Sequence, residues 1–283
     1  MSINWIDKSQ YTKMNKIAVI SDPHINLKEG AEGNECKILQ KCFKNMSVDT
    51  LVVCGDITEN AQPDELHCFF DTYKVNCQAK NLFLIPGNMD ETEYPEGKKT
   101  FLDIYGKSCG VVFENTYFTH EADNCILIGI TPEQDDDDVP LSENQLYVLD
   151  EYIRKAAERN VPALVFCHYV INDTINVDWK YAKLGEQSLQ VRTIFEKYRG
   201  KVICFSGHIH RGLIKEPGGS ILTLKNVTYV STPSVCIPDK IHYKADNDNV
   251  GTGYILDLCP DYVRISGFDF LNNQWLEAFD WRV

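Results

Sequence analysis

The chain has 283 residues, with 28 Lys and Arg against 41 Asp and Glu, which leaves a formal charge of −13. Hydrophobic residues at 43% and charged residues at 24% exclude a disordered or fibrous chain. The acidic balance argues against partners that need a basic face, namely duplex nucleic acid coated without sequence preference or an anionic membrane surface. The first 16 residues contain no continuous apolar stretch of the kind a secretory leader needs. None of the 11 cysteines forms a C-x-x-C pair, and Cys54, Cys125, Cys167 and Cys204 fall inside apolar runs. Such thiols behave as small hydrophobes in a reducing compartment, so the expectation is a cytoplasmic protein without a disulfide framework.

Residues 16–22 read as a strand ending in a polar turn. A helical spacing of Cys36, Leu39, Phe43 and Met46 follows over 33–46, then a β-rich run at 49–56. Pro63 opens a helix through Leu66, Phe69, Phe70 and Tyr73, and 81–88 is the third strand. Continuous apolar strands alternating with helices imply a sheet covered on both faces. Residues 111–130 read as short strands without helices between them, and 134–138 as an acidic surface loop. Ser142 and Gln145 form a capping-box pattern ahead of a helical face at Leu146, Leu149, Ile153 and Ala157. Strands at 162–168 and 202–207 flank a helix near 187–199, and beyond 207 the pattern is purely β. The expected architecture is one α/β domain over 1–283, two packed sheets with helices outside, the β-rich part 211–283 belonging to it.

The strand ends carry chemistry. Asp22 and His24, Asp56, Asn88, His168, and finally His208 and His210 each follow a predicted strand. Ligands of α/β sheets gather at the carboxyl ends of the strands. In D-x-H and H-x-H the two side chains share a face, and Gly55, Gly87 and Gly207 each precede a candidate ligand and permit close backbone approach. Three oxygen donors and four imidazoles exceed what one ion needs, and mixed N/O ligation suits Mn2+, Fe2+/Fe3+, Zn2+ or Co2+. Two such ions would clamp a phosphate and activate water.

The set D22-x-H24, G55-D56, G87-N88-x-D90, H168 and G207-H208-x-H210 resembles the calcineurin-like metallophosphoesterase motifs, in the family's order. The stretches STPSV (231–235) and GTGYILDL (251–258) are further similar to the class III branch, which hydrolyses cyclic nucleotides and glycerophosphodiesters. The resemblance implies a four-layer α/β/β/α sandwich of two mixed sheets flanked by helices. It implies one divalent ion on Asp22, His24, Asp56 and His210, and a second on Asp56, Asn88, His168 and His208. Asp56, Asn88 and His208 would then stand at the reacting centre. Asp90 is expected behind the ligands, orienting His24. The implied reaction is in-line attack of a metal-activated hydroxide on the phosphorus of a small phosphodiester, a cyclic nucleotide being one candidate.

Two departures bear on substrate. Met89 stands where the family pattern has a histidine that serves as general acid or phosphate donor, and a thioether does neither. Diesters and activated leaving groups should suffer least from that loss. After His168 the chain continues Tyr169-Val170-Ile171-Asn172, and 169–185 is a candidate cover for the site, with Trp179 and Tyr181 either stacking on substrate or packing the segment itself. Arg211 is a candidate for a phosphate oxygen or for a surface ion pair, and Asn60 and Tyr169 are candidates for substrate contact. The alternatives to a phosphodiesterase are a metal-dependent nuclease and a non-catalytic metal-binding scaffold of the same fold.

Overall fold

The computed structural model describes residues 13–28, 33–91, 97–110, 112, 114–132, 141–176, 184–238 and 245–283. Among them lie twelve strands in two six-stranded sheets. The first sheet runs β12 (Gln274–Arg282), β11 (Val263–Asp269), β10 (Thr252–Leu258), β1 (Lys16–Ile20), β2 (Thr50–Cys54), β3 (Asn81–Ile85). The second runs β4 (Phe118–Glu121), β5 (Ile126–Ile130), β6 (Ala163–Cys167), β7 (Val202–Ser206), β9 (Val227–Ser231), β8 (Ile221–Leu224). In each sheet a parallel centre is finished by antiparallel strands: β1–β2–β3 are parallel while β10, β11 and β12 join antiparallel. In the second, β5–β6–β7–β9 are parallel, with β4 and β8 antiparallel at the edges.

Alternation along the strands explains why they read as continuous apolar runs. On β1, Ile17 and Val19 face the second sheet, together with Val52, Cys54 and Phe83, and meet Leu164, Phe166, Ile203 and Phe205. Ala18 and Ile20 face the other way, into a core shared with Leu39 and Phe43 of α1 (Asn34–Asn45), Leu66, Phe69 and Phe70 of α2 (Pro63–Asn76), and Phe101 and Tyr105 of α4 (Gly97–Cys109). The second sheet repeats the scheme with Leu146, Leu149 and Ile153 of α5 (Glu143–Arg159) and Val191 and Phe195 of α6 (Ser188–Glu196). The result is the expected four-layer α/β/β/α sandwich. Each fully buried Leu, Ile or Phe contributes about 1.5–3 kcal/mol, and the layer between the sheets is where loosening would move both sets of strand ends.

Some local features depart from the sequence reading or were not part of it. The stretch 97–109 is helix, hidden in the sequence by Gly97 and Gly106, and a four-residue helix α3 (Asn88–Glu91) follows β3 directly. The pair β4–β5 forms a hairpin-like antiparallel unit, while the predicted strand at 111–113 and the acidic loop at 134–138 lie outside the described residues, apart from Val112. Ser142 accepts from the Gln145 amide at 3.3 Å, but the Gln145 side chain bonds both backbone groups of Thr131 instead of closing a capping box. Cys36 of α1 and Cys68 of α2 stand side by side, Cα to Cα 6.7 Å. The helices pack together there, and the two sulfurs face each other across the contact.

Candidate metal centre

Every predicted ligand sits just past the carboxyl end of a strand. β1 delivers Asp22 and His24, β2 Asp56, β3 Asn88, β6 His168, and β7 His208 and His210. The turn conformations that aim them are costly. Asp22, His24, Asp56, His208 and His210 have φ between 47° and 69°, half of the ten non-glycine residues with positive φ among those described. Left-handed backbone at a side-chain-bearing residue costs about 1–3 kcal/mol and concentrates at functional sites. Backbone bonds hold the loops there: Asp22 N–H to the Gly55 carbonyl at 3.0 Å, His24 N–H to Asp56 at 2.9 Å, and Gly207 N–H to His168 at 2.9 Å.

Two glycines let the sheets close on one another. A methyl group at Gly207 would overlap the Ser21 hydroxyl and the Asp22 carboxylate, and one at Gly55, where φ is 90°, would overlap the His168 ring. No side chain fits at either place.

The donor atoms converge as two groups that share one residue. Asp22, His24, Asp56 and His210 form the first group, and Asp56, His168 and His208 the second, with the donor atoms of each group within 4.8 Å of one another. The shared atom is Asp56 Oδ2, at 3.4 Å from His24 Nε2 and 3.2 Å from His168 Nε2. Its other oxygen, Oδ1, accepts from the Met89 backbone N–H at 2.9 Å, which fixes the carboxylate's orientation. Asn88 Oδ1 stands 3.2 Å from His168 Nε2 and so adds its oxygen to the second group. In the first group His210 Nε2 lies 3.4 Å from Asp22 Oδ1 and 2.8 Å from His24 Nε2. Two ring nitrogens that face one another at that distance, with carboxylate oxygens around them, have the arrangement of ligands around a common cation.

Ring orientation is set from behind. His168 donates its Nδ1–H to the Cys54 carbonyl at 2.8 Å, which turns Nε2 toward Asp56. His24 Nδ1 is 2.7 Å from Glu59 Oε2. That corrects the expectation for Asp90, which is buried and accepts from the backbone of Ile57, Thr58 and Gly87 and from the Thr58 hydroxyl. Asp90 thus braces the loop that carries Asp56, and Glu59 orients His24. The signal for Glu59 in the sequence is a carboxylate three residues after Asp56.

Charges in the cluster are strongly polarised. Burial pushes the Asp56 carboxyl up, yet His168 and His24 together hold it well below the ordinary range; Asp22, also pushed up by burial, is lowered by His210 and His168. Burial pulls His24 down, but Asp56 and Glu59 carry it to about 10; His168, likewise buried, is carried by Asp56 to about 9. Burial, followed by the Asp56 charge, raises Asp90 to about 6. Carboxylates and imidazoles directed at common points form a mixed O/N donor set that fits a pair of divalent cations of intermediate softness.

The remaining candidates divide. Tyr169 is beside the cluster, its ring 4.8 Å from that of His208 and 5.4 Å from that of His168. Met89 is half-buried next to Asn88. Asn60 is buried and gives its amide to Glu65 Oε1 at 2.8 Å. Arg211 is buried as well, not a surface partner, and donates to the Asn176 carbonyl, tying the segment after β6 to the loop after β7. Trp179 and Tyr181 lie outside the described residues.

A family model for calcineurin-like phosphoesterases matches residues 15–212. The chain belongs to that family. Among solved structures this phosphoesterase is similar in fold to a dimetal phosphatase from Danio rerio, with a TM-score of 0.64 at 13% identity over 95% of this chain and 98% of the other. It is similar also to a purple acid phosphatase from yellow lupin seeds, with a TM-score of 0.58 at 13% identity, covering 96% of this chain and 54% of the lupin one. GAP50, the anchor in the inner membrane complex of Plasmodium, matches with a TM-score of 0.64 at 12% identity over 96% of this chain and 89% of that one. No curated protein matches the chain. Among the described residues of this phosphoesterase no helix is long and apolar enough to cross a membrane.

Proposed function

We propose that this phosphoesterase hydrolyses a small phosphodiester at a centre for two divalent ions. The observation that carries the reading is Asp56 Oδ2, faced by His24 from one side and His168 from the other. One ion would be held by Asp22, His24, Asp56 and His210, and the other by Asp56, Asn88, His168 and His208. When bound, such ions supply Lewis acidity toward the phosphoryl group and make water a nucleophile near neutral pH.

The protein's own part is positioning. The Met89 N–H fixes Asp56, the Cys54 carbonyl and Glu59 turn the two imidazoles, and the His208 N–H holds Asp22 at 3.0 Å. The preference for diesters rests on Met89. Its thioether has no proton to give a departing alkoxide, so a leaving group must depart as its own anion or be protonated from solvent. The similarity of STPSV and GTGYILDL to the cyclic-nucleotide and glycerophosphodiester branch points the same way. Ser234, in the first of these stretches, donates its hydroxyl to the Asp22 carbonyl at 2.8 Å, which ties that stretch to the centre.

The test is hydrolysis of bis(p-nitrophenyl) phosphate beside p-nitrophenyl phosphate with Mn2+ added, and Asp56→Asn as control. The reading expects diester turnover well above monoester turnover, lost in the variant. Monoester turnover equal to or above diester turnover would overturn the preference.

A further inference from the structure

We propose that Glu59 is a positioning residue for the ion held by His24, making that half of the centre unequal to the half built on His168. The proposal rests on the dinuclear reading above and concerns what sets the properties of each half.

The two imidazoles that face Asp56 are backed differently. His168 Nδ1 meets the carbonyl of Cys54, a neutral acceptor beside a ring with no exposed surface. His24 Nδ1 meets a carboxylate at 2.7 Å whose side chain is 35% exposed. A carboxylate acceptor makes an imidazole a stronger donor to a metal than a carbonyl does, and it fixes the tautomer that leaves the lone pair on Nε2. Removing such a partner costs roughly 10–100-fold in metal affinity.

The contact is built into the fold. Glu59 N–H bonds the Ile25 carbonyl at 3.0 Å, Ile25 N–H bonds Ile57 at 3.0 Å, and Ile25 pairs with Thr58 as an isolated parallel bridge. The loop after β1 and the loop after β2 are thereby zipped in register, with the carboxylate brought to the ring. No other described carboxylate takes its place, since Asp22 and Asp56 face the Nε2 side and Asp90 accepts four hydrogen bonds from its own neighbourhood. Because the side chain is partly exposed, replacing it opens no cavity in the core.

The experiment is Co2+ titration of the full chain, followed by visible absorption and calorimetry, on wild type, Glu59→Ala, Glu59→Gln and His24→Ala. Two Co2+ ions bind the wild type. Glu59→Ala weakens one of the two constants by about 10–100-fold and leaves the other within about threefold. Glu59→Gln keeps an oxygen acceptor without the charge and recovers part of the loss. Adding Glu59→Ala to His24→Ala produces no further loss, because the residue acts only through that ring. Unchanged constants in both Glu59 variants would overturn the proposal while the dinuclear reading stood, and so would a full additional loss in the His24→Ala background. Fewer than two Co2+ ions on the wild type would overturn that reading and this proposal with it.

Discussion

The two sheets contribute opposite chemistry to one site. β1, β2 and β3 deliver the oxygen donors of the candidate centre, Asp22, Asp56 and Asn88, with His24 as their one imidazole; β6 and β7 deliver only imidazoles, His168, His208 and His210. The oxygen side is pinned by N–H groups, from Met89 to Asp56 and from His208 to Asp22. The imidazole side is oriented from behind by a backbone carbonyl at His168. Neither sheet holds a complete donor set. The donor groups meet because the layer of Val19, Val52, Phe166 and Phe205 packs the two sheets face to face, so loosening that layer should also spread the donors.

Asp56→Asn should break the comparison most severely, since one carboxylate serves both groups. Metal content is expected to fall below one ion per chain, and hydrolysis by roughly 10²–10³-fold or more, read by elemental analysis and by initial rates. Gly207→Ala attacks the seam itself. Overlap with Ser21 and Asp22 should cost about 1–3 kcal/mol, seen as a lower melting temperature together with weakened metal binding.

A milder perturbation is pH. His24, raised to about 10, and His168, raised to about 9, carry protons at neutral pH that a cation must displace. Binding therefore releases protons, and Mn2+ affinity should tighten as pH rises from 6.5 toward 9 and weaken in the reverse direction, which calorimetry in two buffers of different ionisation enthalpy reads directly. The smallest effect belongs far from the seam. Asp280 on edge strand β12 is held below its ordinary range first by its hydrogen bond from Arg264, at 2.8 Å, so the pair stabilises at neutral pH and that contribution is lost as pH falls through the lowered value. Both side chains are partly exposed, so Asp280→Asn should cost under about 1 kcal/mol and leave hydrolysis unchanged.

The pattern of the chain shows the same division. The convergence of the candidate donors was legible because each follows a continuous apolar run, as Asp56 does after Thr50–Cys54, and because D-x-H and H-x-H spacings recur at those ends. The layer order was legible because β1, β2, β6 and β7 are apolar on both faces, which only a covered sheet requires. Helix α4 escaped notice because Gly97 and Gly106 interrupt an otherwise helical spacing of Phe101, Ile104 and Tyr105. The bounds of strand β12 were not legible within the β-rich part because it is an edge, mostly exposed, with few apolar residues turned inward. The partners behind the ligands were the least legible. Glu59 and Asp90 are both carboxylates near Asp56 in sequence or space, and only the register of Ile25 with Thr58 decides which one reaches His24.

The most direct test of the shared centre is electron paramagnetic resonance of the Mn2+-loaded chain with its metal content measured on the same sample. Two Mn2+ per chain with a spin-coupled signal, and loss of that coupling in Asp56→Asn, is the expected result. A single Mn2+, or two that give only uncoupled signals, would contradict a centre in which Asp56 joins the two groups.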